Sequence, residues 1–306
     1  RDALGPDVRL QKPAAWHDAL KALNGTVQID LERAPLAAQT YVAQSPAKIV
    51  FGKDPCVMPK ACKTNAEQHN IRQVHIRDGI TMVRFLMWLD SQRFEYGHIN
   101  EIAIAERLED FRRANATYRG PSFATICGWN ANGAIVHYHA EPDTNQKIMG
   151  NGLLLIDSGA QYEYGTTDIT RTIPIGHISA KMKEHYTRVL KGHIAVARTI
   201  ITPEMTGADI DARARAPLAD VGLDYGHSTG HGVGCFLSVH EEASSISPRG
   251  KDTYEPGMLL SNEPGLYIEG EYGIRHENLM LVERRDDGNM VFDTVTLVPF
   301  DLRGID

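Results

Sequence analysis

Asp157 and Asp168 constrain this chain more than any other pair of residues. Asp157 closes the apolar run Leu153-Leu154-Leu155-Ile156, and Asp168 follows after ten intervening residues, inside the threonine-rich stretch TTDITRT. Four consecutive large aliphatic residues read as a short buried strand, and Asp168 to Ile173 reads as a second one. A strand out and a strand back set two carboxylates side by side on an antiparallel sheet. Like charges held that close in a protein interior need a compensating cation, because neither burial nor mutual repulsion favours the ionised pair.

Three further residues complete the pattern. His231 lies in GHSTGHGVG, Glu263 in SNEPG and Glu277 in GIRHENLMLV, each at the edge of a short apolar or glycine-rich segment. Small neighbours let the backbone near His231 approach a ligand closely. Glu277 opens an apolar strand, where a lone carboxylate is costly unless it is paired or metal-bound. Four carboxylates and one imidazole are a hard, oxygen-rich donor set, which favours Mn²⁺, Co²⁺ or Zn²⁺ over a thiolate-type site. Two divalent ions would neutralise carboxylates that could not otherwise stay ionised together. The expected centre is therefore a catalytic pair of metals held by Asp157, Asp168, His231, Glu263 and Glu277.

Composition excludes several other classes. The 306 residues carry a net charge of −7 and contain no Lys/Arg-rich block, so no nucleic-acid partner is expected. No apolar run is long enough to span a membrane and no signal-peptide pattern opens the chain, so a cytoplasmic protein is the expectation. Cys56, Cys62, Cys127 and Cys235 are scattered without CxxC spacing and suit free thiols.

Periodicity predicts a mixed architecture. Residues 1–58 read as a partial α/β segment, with a helix from Ala14 to Leu23, strands from Thr26 and from Lys48, and a loop over CVMPKACKT. Thr64 and Glu67 form a capping box that starts a helix running to about Asp90, with Ile71, Val74, Ile80, Val83, Leu86 and Leu89 at compatible positions. Further helices are expected over 100–114, with Ile102, Ile104, Leu108 and Phe111 inward, and over 180–200 and 208–221. The last of these ends at Gly222. Strands are expected over 134–138, 153–157, 161–164, 168–173, 258–262, 277–283 and 290–299. Helices flanking a curved antiparallel sheet make residues 59–306 an α+β domain.

In their order and spacing, D-x10-D, HGVG, NEPG and IRxEN resemble the pita-bread (creatinase/aminopeptidase) metallopeptidases. The segments SFATICGWNANGAIVHYHAEP, LLLIDSGAQYEYGTTDITRTIPIG and STGHGVGCFLSVHE are most similar to the long, cytosolic-type branch of the Xaa-Pro aminopeptidases (aminopeptidase P). The resemblance covers roughly residues 55 to 300. Members of that branch carry α/β domains before the catalytic one and an extension after it. The resemblance therefore implies that residues 1–58 are the remnant of a preceding domain, and a fragment or processed product is the simplest expectation, with a naturally short enzyme as the alternative.

The resemblance also assigns roles. It implies metal-dependent removal of the N-terminal residue from peptides with Pro at position two, carried out by a metal-activated hydroxide. Two divalent ions, Mn²⁺ first and Zn²⁺ or Co²⁺ as alternatives, are implied, and so is a homodimer. Asp168 and Glu277 match bridging ligands, Asp157 a ligand to one ion, and His231 and Glu263 ligands to the other. Glu263 also matches the proton shuttle, His240 the group stabilising the oxyanion, and His137 a catalytic contact near the scissile bond. His227 matches the pocket for the residue after that bond; Tyr267 is expected in the pocket wall, with plain packing as its alternative, and Arg275 is expected to orient the carboxylates and serve substrate binding. His276 departs from the family, which more often has an apolar residue there; alternation along a strand would turn it to the opposite face from Glu277. An Xaa-Pro dipeptidase (prolidase) is the alternative activity. A non-catalytic binding module, a metal-free creatinase-like hydrolase and a methionine aminopeptidase fit less well.

Overall fold

A computed structural model describes residues 5–306. The chain divides into two compact units, Arg1–Met58 and Pro59–Asp306. In the first, a 3₁₀ turn (Pro13–Ala15) leads into helix α1 (Trp16–Lys21) and strand β1 (Thr26–Ile29). Helix α2 (Leu36–Val42) then crosses to β2 (Lys48–Phe51), which pairs with β1 in parallel. A parallel pair needs a crossover, and α2, which periodicity did not predict, supplies it. The segment predicted as a loop contains a short helix, α3 (Val57–Ala61), which spans the division between the units.

The second unit begins with α4 (Asn65–Asp90), whose N-cap Thr64 forms the expected capping box with Glu67. Its inward face carries Ile71, Val74, Met82, Phe85 and Leu89, whereas Ile80 and Val83 lie on the outer face. The gap in that inward stripe is filled by a charged residue, Asp78, which hydrophobic periodicity alone could not place there. Helix α5 (Glu101–Arg113) buries Ile104 and Leu108 with the charged Glu101 and Arg112, while Ile102 and Phe111 are only partly covered.

Next come β3 (Tyr118–Pro121), β4 (Ile126–Trp129), β5 (Gly152–Ser158), β6 (Ala160–Tyr162), β7 (Gly165–Thr166) and β8 (Ile169–Ile175). They form two three-stranded antiparallel sheets, ordered β4-β5-β8 and β3-β6-β7. Between β4 and β5 the predicted strand over 134–138 is absent. A 3₁₀ turn (Asn130–Ala134) stands there instead, entered through the positive φ of 46° at Asn130. Asn130 Oδ1 accepts from the Leu153 amide at 3.0 Å, a side-chain bond that suits a turn rather than a ladder.

The remainder is α6 (Ala180–Ala197), β9 (Ile200–Ile201), α7 (Gly207–Ala219), β10 (Gly230–Gly232), β11 (Glu241–Ile246), β12 (Leu259–Asn262), β13 (Gly265–Ile268), β14 (Tyr272–Arg275), β15 (Asn278–Arg284) and β16 (Met290–Thr294). Six of these strands form an antiparallel sheet ordered β11-β10-β12-β15-β16-β9, and β13 and β14 pair as a hairpin. Gly222, with a φ of +74°, follows the end of α7 as expected.

The two largest apolar clusters of this α+β domain join helices to sheets. Met82, Phe85, Leu89, Ile104 and Leu108 pack on Leu154, Ile156, Ile173 and Ile175 of the β4-β5-β8 sheet. Val196, Ile210 and Ala214 of α6 and α7 pack on Leu260, Met280, Val282 and Phe292 of the larger sheet. Leu153 and Leu155, on the other face of β5, are buried in separate clusters. A strand covered on both faces carries a continuous apolar run rather than an alternating one. No helix of the described residues is long and apolar enough to cross a membrane, and the four cysteines are unpaired.

Strand β14 reaches the centre of the domain through a close backbone approach. A Cβ on Gly273 would stand far inside van der Waals contact distance of the Gly133 carbonyl oxygen. Gly273→Ala is therefore expected to cost at least about 1–3 kcal/mol, the usual range for overpacking a rigid interior. Urea denaturation should show a lower midpoint at unchanged slope; an unshifted midpoint would mean that the Gly133 turn yields freely.

Candidate metal centre

All four carboxylates emerge at strand ends, where a hydrogen-bonded ladder holds the backbone up to or beside the ligand. Asp157 lies opposite Thr170 in the β5–β8 register, and Asp168 immediately precedes β8. Glu263 follows β12, and its amide donates to Thr229 O at 2.7 Å, tying it to the turn before His231. Glu277 precedes β15, and its amide donates to Thr170 O at 3.2 Å. Antiparallel pairing sets the ligands within each sheet, and the Glu277 amide bond to Thr170 O joins the two sheets across more than a hundred positions.

Ligand atoms of Asp168, His231 and Glu277 all lie within 4.8 Å of one another. His231 Nε2 stands 3.5 Å from Asp168 Oδ2 and 3.4 Å from Glu263 Oε1. Its Nδ1 lies 2.8 Å from the Gly232 carbonyl, which can only accept, so Nδ1 carries the proton. The ring thereby turns Nε2 towards the carboxylates, the nitrogen that a metal-ligating imidazole would offer. Asp157 Oδ2 accepts from Arg275 Nη2 at 2.7 Å, whereas its buried Oδ1 has no hydrogen-bond partner.

The electrostatics call for cations. Burial first, then Asp157 and Glu263, pushes the Asp168 carboxyl well above its ordinary range. Burial and the other three carboxylates do the same to Glu277. Glu263 is also raised, by burial and Asp157, against the opposing pull of His231 and Arg275. Arg275, in contact with the cluster, and the more distant Arg112 cannot offset four carboxylates. A pair of divalent ions can, and it would also engage the orphaned Asp157 oxygen, so the donor set fits such a pair.

A hydrogen-bonded chain leads outward from Asp157. Arg275 Nη1 donates to Tyr267 Oη at 2.7 Å, and Tyr267 Oη lies 2.8 Å from His227 Nε2. His227 Nδ1 faces the Ser228 carbonyl at 2.8 Å and must donate, leaving Nε2 to accept from the tyrosine. Burial and the nearby positive groups Arg275, Arg215 and His137 hold the His227 pKa down at about 4, which agrees with a neutral ring. Arg275, Tyr267 and His227 therefore form one connected wall.

Two further predicted histidines, His240 and His137, lie near this wall. The His240 ring sits 4.1 Å, centroid to centroid, from that of His231. Burial, His231 and His137 lower the His240 pKa, so the three imidazoles sense one another. His137 comes from the turn after residue 134 rather than from a strand, and its side chain is exposed. His276 points away from the ligands, with its ring against Tyr186 at 4.2 Å and Phe300 at 5.3 Å. A cavity of about 810 Å³ lined by Leu86, Phe94, Arg171 and Phe300 includes none of the five ligands. Cavity volume alone would misplace the site.

Several supporting residues escaped the sequence reading. Thr170 Oγ1 donates to Glu277 Oε2 at 2.7 Å and accepts from Arg275 Nε at 3.2 Å, which ties β8 both to a ligand and to the arginine that holds Asp157. Ser261 Oγ donates to Glu263 Oε1 at 3.0 Å and accepts from the His231 amide at 2.9 Å. Arg215 of α7 donates to the carbonyls of Tyr225 and His227, each at 2.7 Å, and shapes the turn that carries His227. The threonine-rich TTDITRT was a visible signal for the first. A lone Ser and a lone Arg gave none.

The sequence profile of metallopeptidase family M24 matches residues 69–284. Xaa-Pro aminopeptidase 1 of Dictyostelium discoideum is 41% identical over 259 residues, which cover 81% of this chain and 41% of the relative. A probable Xaa-Pro aminopeptidase P of Coprinopsis cinerea is 38% identical over 331 residues, covering 100% of this chain and 53% of its own. The chain thus spans about half the length of these curated relatives. Among solved structures, X-prolyl aminopeptidase from Caenorhabditis elegans, described as a cytosolic enzyme with a di-nuclear active site, superposes with a TM-score of 0.84. It shares 30% identity, over 96% of this chain and 48% of that one. An Xaa-Pro dipeptidase from Bacillus anthracis superposes with a TM-score of 0.77 at 27% identity, over 91% and 74% of the two chains.

Proposed function

The chain belongs to metallopeptidase family M24 and has its pita-bread fold, and on that premise we propose that it is an Xaa-Pro aminopeptidase. It would release the N-terminal residue from peptides whose second residue is proline. The observation that carries this reading is the cluster of Asp168, Glu263 and Glu277 around His231, with Asp157, tied to Arg275, close enough to raise all three of those carboxyls.

Asp157, Asp168, His231, Glu263 and Glu277 would hold two divalent ions, with Mn²⁺ favoured by the oxygen-rich donor set. When bound, such a pair acidifies water and polarises the scissile carbonyl. The remaining chemistry belongs to the chain's own groups. Ser261 engages Glu263 through Oε1, and none of the described hydrogen bonds engages Oε2. Glu263 can therefore take a proton from the attacking water at Oε2 and pass it to the departing proline nitrogen. His240, beside His231, is placed to donate to the oxygen that becomes negative as the carbonyl is attacked. His137, which sits close enough to lower the proton affinity of both His227 and His240, contacts the substrate near the scissile bond. Tyr267 and His227 wall the proline ring. A bond to proline lacks the N–H that ordinary aminopeptidases can hold, so selection here is by shape.

The arginine geometry favours an aminopeptidase over a dipeptidase. A dipeptidase must capture the substrate's own C-terminal carboxylate. Arg275 donates to Thr170, Tyr267 and Asp157, so its guanidinium is already engaged. Arg215 is likewise occupied by Asp211, Asp224 and two carbonyls. The test is a comparison of Ala-Pro-Ala with Ala-Pro on Mn²⁺-loaded protein, with products read by mass spectrometry. Release of Ala from the tripeptide with little action on the dipeptide is expected. Faster cleavage of Ala-Pro would move the activity to prolidase.

A further inference from the structure

A buried ion pair lies behind the excursion that joins the two aspartates. Asp78 of α4 and Arg112 of α5 meet in a two-pronged contact, Nε to Oδ1 at 3.0 Å and Nη2 to Oδ2 at 3.2 Å, with 3% and 1% of each residue exposed. Neither residue belongs to the ligand set or to the substrate wall. Burying two charges merely to join helices gains little, since apolar side chains of similar volume do that about as well. What a carboxylate and a guanidinium add is direction: each fixes several hydrogen bonds at defined angles.

Those bonds go to the segment between Asp157 and Asp168. Asp78 Oδ2 accepts from Thr167 Oγ1 at 3.1 Å, one residue before Asp168. Arg112 Nη1 donates to the Gly159 carbonyl at 3.3 Å, two residues after Asp157. Tyr162 Oη, in the middle of the excursion, donates to Asp78 Oδ1 at 2.7 Å. Each carboxylate oxygen of Asp78 thus accepts two hydrogen bonds. The excursion closes on itself as well, through the Thr167 amide to Ala160 O at 2.8 Å and the Ala160 amide to Thr167 Oγ1 at 3.1 Å. Both ends are therefore clamped to the same ion pair, each within two residues of an aspartate.

On the reading that Asp157 and Asp168 hold a metal pair, we infer that the Asp78–Arg112 ion pair is the positioning device that sets the relative placement of those two ligands. It acts through Thr167 and Gly159 and touches neither the substrate nor the ions. Partners of this outer kind govern metal affinity by fixing ligand orientation, and their loss weakens binding by about 10–100-fold.

The test titrates purified protein with Mn²⁺ by calorimetry and records the visible absorption of the Co²⁺-loaded form. Thr167→Val removes one hydroxyl and leaves the ion pair, so it should fold; Asp78→Asn is the stronger variant. Leu108→Ala, in the neighbouring apolar core, is the control for general loosening. Expected are two ions bound by the wild type, affinity about 10–100-fold weaker in Thr167→Val and Asp78→Asn, an altered Co²⁺ spectrum in both, and wild-type affinity in Leu108→Ala. Affinities within about twofold of wild type with an unchanged spectrum in a folded Thr167→Val would overturn the inference. Equal weakening in Leu108→Ala would overturn it too. A wild type that binds no metal pair would instead overturn the reading of the site.

Discussion

Glu263→Gln protein loaded with Mn²⁺ should turn over Ala-Pro-Ala about 10²–10⁴ times more slowly than wild type, the range that general acid–base catalysis supplies. The amide keeps the side chain's shape and one oxygen at which Ser261 can still donate, but it cannot carry a proton. Because Glu263 faces His231 Nε2 at 3.4 Å, the substitution also tests ligation. Metal content therefore has to be measured on the same preparation by atomic emission. Two bound ions with a collapsed kcat would assign the loss to proton transfer. Wild-type turnover with two ions bound would remove Glu263 from that role, and loss of an ion would show that its ligand function dominates.

Arg275→Met should destabilise the chelated protein by about 3–5 kcal/mol, the cost of breaking a buried charge pair by removing one partner. Arg275 is 2% exposed, and its loss would strand Asp157 Oδ2 and take one of two partners from each of Tyr267 Oη and Thr170 Oγ1. Saturating Mn²⁺ should narrow the deficit, since cations then take over the neutralisation of the cluster and stabilise the form that binds them. Urea unfolding of both proteins, with and without Mn²⁺, measures both effects. A chelated variant as stable as wild type would mean that the guanidinium does not compensate the carboxylates.

Local rules carried the sequence reading a long way. The capping box at Thr64, the run into Asp157 and the stop at Gly222 each depend on residues a few positions apart, and each stands in the structure. Errors arose where a local pattern admitted two answers. IVHYH looks like a strand, yet the turn at Asn130 and the close approach of Gly133 to Gly273 place it in irregular backbone. On α4, Ile80 and Val83 fit helical spacing but face outward, because the inward stripe runs through Asp78. A buried charge is invisible to a search for apolar periodicity until its partner, Arg112, is known.

By itself the sequence nominated five candidate ligands and marked where the apolar run Leu153–Ile156 ends in Asp157, which is a local fact. Only the tertiary structure decided how those side chains are held. Thr170 meets Glu277 across 107 positions and Arg275 meets Asp157 across 118. The tautomers of His231 and His227 follow from carbonyls that folding brings within reach. Chain connectivity encodes a residue's neighbours over one or two turns. Which distant hydroxyl or guanidinium satisfies a buried carboxylate is settled by packing, where each unpaired polar group is costly enough to select one arrangement.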